Sequence, residues 1–368
     1  MSRAVIIGGG IIGLAVADEL TCRGIQVTLL EKSSGAGREA SGASAGILAP
    51  QSEAQGPGPF LDLLLAGAQM IPEAVARLEA LTRMDLEHRV SGMLTVGFSD
   101  EEREKLEAAC RWQEAAGLKP QRVEAAEIRR MEPAVDGKVR SGVYWAQTAQ
   151  LDPRKFVAAY EQAARAAGAE IRLAEPVTRV LVKGRRAVGV ETPSGTLEAD
   201  WVIHCGGPWA AEEKGLPFSI PVIPARGQIL QFSTPGPLFR RVVKSARAYV
   251  VQRSRDCLIA GTTLEYVGFD SRVTEEGRRA ILDGVRGISS SAASLEVHSS
   301  WAGLRPDTSD HLPILGVTPL QGFLVAAGHF RNGILLAPLT GRLMADSILG
   351  TRSAVDLSPF SLSRFMVG

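Results

Sequence analysis

An α/β fold is predicted: a mainly parallel sheet covered by helices, with an antiparallel-sheet domain interleaved in it. Three observations predict this. Short apolar runs at residues 3–7, 201–205 and 323–327 each run straight into a glycine cluster, as buried strands of a parallel sheet do when they end in tight turns. The first run is followed by a helical pattern and a second apolar run within about 30 residues, which is the layout of a βαβ unit. Residues 220–297 change character, with short strands separated by turns, as in an antiparallel sheet.

The elements follow in order. Residues 3–7 read as a strand broken by the glycines from Gly8 to Gly13. Residues 11–23 read as a helix, with Leu14, Ala17 and Leu20 on one face and Gly24 as its stop,. Residues 27–30 form the second strand, ending at Glu31. Asp152 and Pro153 signal the start of a helix that Gly168 closes,. Strands are expected at 171–173, 177–182 and 187–191, with Lys183-Gly184 as a hairpin turn,. Strands at 228–232, 249–252 and 257–261, with segments near 92–97 and 142–145, form the antiparallel domain. The strand at 323–327 leads through the glycines from Gly328 to Gly333 to a helix from about Thr340 to Leu349.

Composition narrows the class. Glycine makes up 39 of 368 residues, about 11% against a usual ~7%. It is clustered, which marks places where backbone turns with positive φ or approaches something closely. Lys plus Arg is 41 and Asp plus Glu 40, a net charge of +1, which argues against a dedicated nucleic-acid binder. Cys22, Cys110, Cys205 and Cys257 are 88, 95 and 52 residues apart. They form no C-x-x-C or Cys/His cluster, so no metal site or disulfide framework is expected and a reducing, cytoplasmic location is. Residues 4–17 are apolar, but Gly-Gly-Gly lies at their centre and Asp18-Glu19 follows, unlike a signal peptide. No run of ~20 apolar residues predicts a membrane span.

The pattern Gly8-x-Gly10-x-x-Gly13 lies between a predicted strand and a predicted helix. Glycine at these places permits a tight turn, close approach of backbone to a pyrophosphate and close helix–strand packing. The helix N-terminus adds free N–H groups and a positive dipole end. Glu31, 18 residues after Gly13, is placed to accept hydrogen bonds from ribose hydroxyls. Together these specify a Rossmann-like dinucleotide site, common to NAD and FAD enzymes.

The remainder of the chain separates the two. Residues 5–13 (Val-Ile-Ile-Gly-Gly-Gly-Ile-Ile-Gly), 44–50 (Ser-Ala-Gly-Ile-Leu-Ala-Pro), 301–306 (Trp-Ala-Gly-Leu-Arg-Pro) and 328–338 (Gly-His-Phe-Arg-Asn-Gly-Ile-Leu-Leu-Ala-Pro) resemble the D-amino-acid oxidase family of flavoproteins, and within it the glycine oxidase branch of bacterial thiamine biosynthesis. The resemblance implies an FAD-binding domain of glutathione-reductase type, with an interleaved antiparallel-sheet substrate domain. The FAD-binding domain is expected from residues 1–85, 150–218 and 300–368, and the substrate domain from 86–149 and 219–299.

The resemblance also implies site residues. Gly8, Gly10, Ile11, Ile12, Gly13, Glu31 and Lys32 would hold the dinucleotide. Ser41, Ala45, Gly46 and Ile47 would pass along the pyrophosphate and the flavin ring, with Arg38 on a phosphate or free in solvent. Val177 would hold the adenine side through its backbone, and Gly206, Gly207 and Trp209 would approach at a strand end. Gly303, Arg305, His329, Arg331, Asn332, Gly333 and Ile334 would border the ring. Arg305 would bind the substrate carboxylate, for which its planar fork is suited; the competing reading is a salt bridge with Asp307 or Asp310. Tyr249 would assist through its hydroxyl, and Arg331 would favour the anionic reduced flavin. His329 reads as structural or cofactor-orienting, His204 as core, and His311 is left open.

Sarcosine oxidases of the family bind flavin through a cysteine, and residues 305–316 contain none, so FAD is expected to be non-covalent. Gln252 stands where the family more often has proline, and Asp256-Cys257 replace a more basic turn; both touch the strand of Tyr249. The implied reaction is oxidation of glycine, small amines or D-amino acids by hydride transfer to flavin N5, with O2 reduced to H2O2. A D-amino-acid or sarcosine oxidase or dehydrogenase of the same fold is the alternative, and a flavin domain acting on modified tRNA a more distant one. A homo-oligomer with no nucleic-acid or membrane partner is expected.

Overall fold

The computed structural model describes residues 2–353 and 355–366. Its central sheet has six strands, in the order Ile314–Val317, Phe323–Ala327, Trp201–His204, Arg3–Ile7, Gln26–Leu30 and Glu170–Arg172. Five run parallel, and Ile314–Val317 is an antiparallel edge. Four of the five residues of Arg3–Ile7 and all five of Phe323–Ala327 are buried, because helices or a second sheet cover both faces. That explains why these strands read as unbroken apolar runs.

On one face the helices Ile11–Cys22, Pro59–Thr82, Pro153–Ala166 and Gly333–Leu349 share a core built on Leu14, Leu20, Leu64, Phe156, Leu336 and Phe360. Gly341 lies against the Ala15 carbonyl, so a Cβ there would strike the neighbouring helix backbone. On the other face the antiparallel strands Arg179–Lys183, Arg186–Thr192 and Gly195–Glu198 pack Val180, Ala187 and Val190 against Val5, Ile7, Val202 and Val325.

A second sheet of eight strands runs Val297–Asp307, Ile223–Ser233, Cys257–Gly261, Tyr249–Ser254, Val242–Lys244, Met93–Gly97, Ser141–Trp145 and Gln121–Glu124. It is antiparallel except where Val242–Lys244 runs parallel to Met93–Gly97. The helix Glu275–Ile288 buries Ile281, Val285 and Ile288 against Leu230, Val250 and Ala260. The strand Val297–Asp307 pairs along Ile223–Ser233, so residues 300–307 lie in this sheet and the boundary expected at 300 falls inside a strand.

Two expectations are corrected. The last long helix begins at Gly333, not near Thr340, and carries Pro338 inside it. Its residues from Ile334 to Leu339 are all buried, and that packing outweighs the hydrogen bond a helix loses at proline. Val177 precedes its strand, which starts at Arg179. Among the described residues one helix, Pro59–Thr82, is long and apolar enough to cross a membrane. Its inward residues Leu61, Leu64, Ile71 and Leu78 belong to the core.

Candidate active site

The glycine turn after the first strand opens on a cavity of about 380 Å3 bordered by Gly8, Gly10, Glu31, Arg38, Ser41 and Val177, among others. Gly8 has φ of 105° and lies against the Cys205 carbonyl, so no side chain fits there. A Cβ at Gly13 would overlap the Gly8 carbonyl, which is the close helix–strand contact that the third glycine of the motif provides. Gly10 has only Ser41 Oγ near its Cβ position, leaving its backbone open to the cavity.

Glu31 is buried, and each carboxylate oxygen already accepts a main-chain N–H, Gly9 at 2.6 Å and Ser33 at 2.7 Å. It therefore shapes the glycine turn itself. Ser41 Oγ accepts from the Ile11 N–H at 3.0 Å, tying the small-residue segment to the start of the helix. Gly206, Gly207 and Trp209 line the same cavity. Lys32 sits 3.0 Å from the centre of the Trp209 ring, and burial holds its ammonium below the usual value. Arg38 borders the cavity and donates to Ser34 Oγ at 2.9 Å.

Across the short helix Ala40–Ala43 lies a second cavity of about 350 Å3, and Ala40 borders both. Here the two domains meet. Ala45, Gly46 and Ile47 come from the N-terminal part, Gly303, Arg305, Arg331 and Asn332 from the C-terminal part, and Tyr249 from the middle of the second sheet. Glycines make the room: Tyr249 lies over Gly261 and Arg305 over Gly227.

The Arg305 guanidinium donates to Thr262 Oγ1 at 2.7 Å and to the Thr263 carbonyl at 3.2 Å. It forms no ion pair among the described residues. Asp307 is engaged by Tyr266 at 2.7 Å and His311 at 2.9 Å, and Asp310 by Arg364 at 2.7 Å, so the salt-bridge reading of Arg305 does not hold. Burial pulls Arg305 below its ordinary value, yet arginine stays charged at any working pH. Burial pushes the Tyr249 phenol up to about 12, against the opposing pull of Arg305 and Arg331.

Arg331 is exposed, with its guanidinium 4.8 Å from the Phe330 ring. Ile11, Ile12, Gly13, Gly333 and Ile334 lie behind the walls, at or near helix N-termini. His329 is also behind the wall. It is buried, 3.1 Å from Thr340 Oγ1, and burial lowers it to about 3. His204 is buried 3.1 Å from Glu213 Oε2 and edges the first cavity, while His311 stacks on Phe330. Gln252 ties the turn that follows its strand, donating to the Ser254 carbonyl at 2.8 Å.

Sequence reasoning passed over Glu53, Lys244, Phe330, Gly227 and Gly261, which line the same cavity. Glu53 and Lys244 pair at 3.6 Å across it. Their spacing along the chain carried no signal, since Glu53 ends the short helix Pro50–Glu53 and Lys244 ends the strand Val242–Lys244, segments that only the tertiary fold brings together.

The family model described as "FAD dependent oxidoreductase" (DAO) matches residues 3–347. The chain belongs to the DAO family. It is an enzyme of that oxidoreductase family, with FAD as its cofactor. The first cavity fits the dinucleotide half through its glycine cradle, and the second holds space for the ring beside Ala45 and Gly46. No cysteine borders the second cavity, in keeping with non-covalent binding.

DAO relatives include a Geobacillus kaustophilus glycine oxidase, 34% identical over 98% of this chain and 96% of that protein. The crystal structure of glycine oxidase from that organism matches with a TM-score of 0.94 and 33% identity, covering 99% of both chains. A Synechocystis bifunctional protein ThiO/ThiG is 34% identical over 99% of this chain. The chain spans about half the length of the ThiO/ThiG relatives, 54% of the Synechocystis protein. A hydrogen cyanide synthase subunit HcnC of Pseudomonas aeruginosa is 30% identical over 98% of this chain and 95% of that protein.

Proposed function

We propose that this protein oxidises glycine and other small amines or D-amino acids, in the service of thiazole formation for thiamine. The observation that supports this best is Arg305. It is a half-buried guanidinium with no carboxylate partner among the described residues, facing a cavity that Tyr249 and Arg331 also face. A buried cation without a counter-ion is costly, and a substrate carboxylate would supply one through two parallel charge-assisted bonds.

Tyr249 would donate its hydroxyl to the same carboxylate, since its phenol stays protonated. Arg331, at the exposed edge, would add positive charge near the ring. Thr262 and Thr263 hold the Arg305 fork in place. The wall offers small residues, Ala45, Gly46 and Ala49, where the substrate α-carbon must come close. Bound FAD would supply the hydride acceptor, leaving an imine that water hydrolyses to the oxo acid and ammonia, with O2 taking up the electrons as H2O2. No side chain of the cavity needs to act as the general base if the amine binds neutral, and His329 lies too deep and too weakly basic to serve.

The test is a peroxide assay of the purified protein with glycine, sarcosine, D-alanine and D-proline. Peroxide with at least one of the four supports the substrate class. A yellow, FAD-loaded protein that turns over none of them overturns it.

A further inference from the structure

Arg253 is not used by the reading above. It lies on the strand Tyr249–Ser254, four residues beyond Tyr249, at the junction of the two sheets' domains. Its side chain is buried at 7% exposure. The guanidinium donates to the Leu151 carbonyl at 2.6 Å and to the Ala45 carbonyl. Both acceptors are main chain. The nearby carboxylates are engaged elsewhere: Asp152 caps the helix Pro153–Ala166 through the N–H groups of Arg154 and Lys155, and Glu87 pairs with Lys155 at 2.8 Å. Arg89 also points at this strand, donating to the carbonyls of Gln252 and Arg253 itself. Arg253 is thus a permanent cation in the interior, and among the described residues its guanidinium is held by main-chain carbonyl dipoles, with no ion pair.

Its place gives that charge a use. Ala45 and Gly46 form a wall of the cavity assigned to the flavin ring, and Gly46 packs against the Leu151 carbonyl that Arg253 also grips. Gly46 and Leu151 are joined by a main-chain hydrogen bond of 3.0 Å. Arg253 therefore both clamps the wall from behind and sends a positive field through it, weakly screened because the side chain is buried away from bulk solvent,. Arg305 and Arg331 border the other parts of the same cavity. A flavin that takes a hydride, one proton with two electrons, becomes more negative, and a fixed cation behind its ring favours that state.

Resting on the FAD reading, we propose that Arg253 is a positioning residue that holds the Ala45–Gly46 wall and raises the reduction potential of the bound flavin by its buried charge. Burial lowers the guanidinium's pKa from its ordinary value, without bringing an arginine near neutrality.

The test measures flavin potential by equilibrium reduction against a reference dye in the holoenzyme, with FAD affinity by fluorescence titration. R253Q and R253M remove the charge at similar length; R253K keeps the charge and loses the fork. The neutral variants are expected to shift the oxidised-to-reduced ratio at least tenfold toward oxidised, about 30 mV for two electrons. R253K is expected to bind FAD more weakly while staying within threefold of the parent ratio. A parent-like ratio in R253Q and R253M, or an equal shift in R253K, overturns the proposal. Failure of both neutral variants to fold and load FAD overturns it too, since the residue would then serve the fold alone. A parent protein that binds no FAD refutes the flavin reading instead.

Discussion

Arg305 lies flat across Gly227 of the neighbouring strand, its guanidinium filling the space where a side chain at 227 would stand. Tyr249 is laid in the same way over Gly261, its direct partner across the sheet. The two groups assigned to the substrate carboxylate are thus aimed by glycines on other strands.

Gly227→Ala tests that relationship. The backbone there needs no positive φ, and the obstructed atoms are the end of a flexible side chain. The melting temperature is expected to stay within about 3 °C of the parent. KM for glycine is expected to rise about tenfold or more as the fork is displaced. Arg305→Ala should raise KM by about ten- to a hundredfold, the worth of a charge-assisted hydrogen bond. Steady-state kinetics and a thermal melt check both.

Tyr249 bears on the pH profile. Its phenol is raised from 10 to about 12, so the protonated donor persists as pH climbs through 10. No alkaline limb from Tyr249 is expected in kcat/KM below about pH 11. Tyr249→Phe should raise KM about tenfold with the shape of the profile unchanged.

His329 bears on acid stability. Its folded value is lowered from 6.5 to about 3 by burial, so below about pH 6.5 the unfolded chain takes up a proton that the folded chain does not. Stability attributable to this group is constant above that pH and declines as pH falls toward 3, by at most about 1.4 kcal/mol per unit. His329→Gln should lose less stability between pH 7 and pH 5 than the parent. Urea unfolding at the two pH values measures the difference.

Glu31 bears on the cofactor. Both its oxygens accept main-chain N–H groups. Glu31→Gln turns one of them into an amide donor facing a donor. FAD affinity is expected to fall about tenfold, the cost of one unsatisfied buried group, in a fluorescence titration of apo-protein.

Much of the fold was legible because its strands are buried on both faces and end in glycine. Residues 3–7, 201–204 and 323–327 carry that signature, and they are the core of the central sheet. The strand Val297–Asp307 was not legible. Most of its side chains are only half-buried, and no alternation marks it. The start of the last helix was misplaced because Pro338 reads locally as a stop. The helix Asp100–Ala115 went unseen because only Cys110 and Gln113 of it are buried; its capping box, Ser99 with Glu102, was the available signal. At the site, Arg305, Tyr249 and Arg331 came from family resemblance. Glu53, Lys244 and Arg253 could not, since their roles arise from pairing between segments far apart in the chain.

The most direct measurement of the central claim is an anaerobic titration of the purified, FAD-loaded protein with glycine, sarcosine and D-alanine, following the yellow flavin absorbance. The account predicts bleaching by at least one of them in the parent, and bleaching that needs far higher substrate in Arg305→Ala. Absorbance that none of the three bleaches, or bleaching at unchanged substrate concentration in Arg305→Ala, would contradict it.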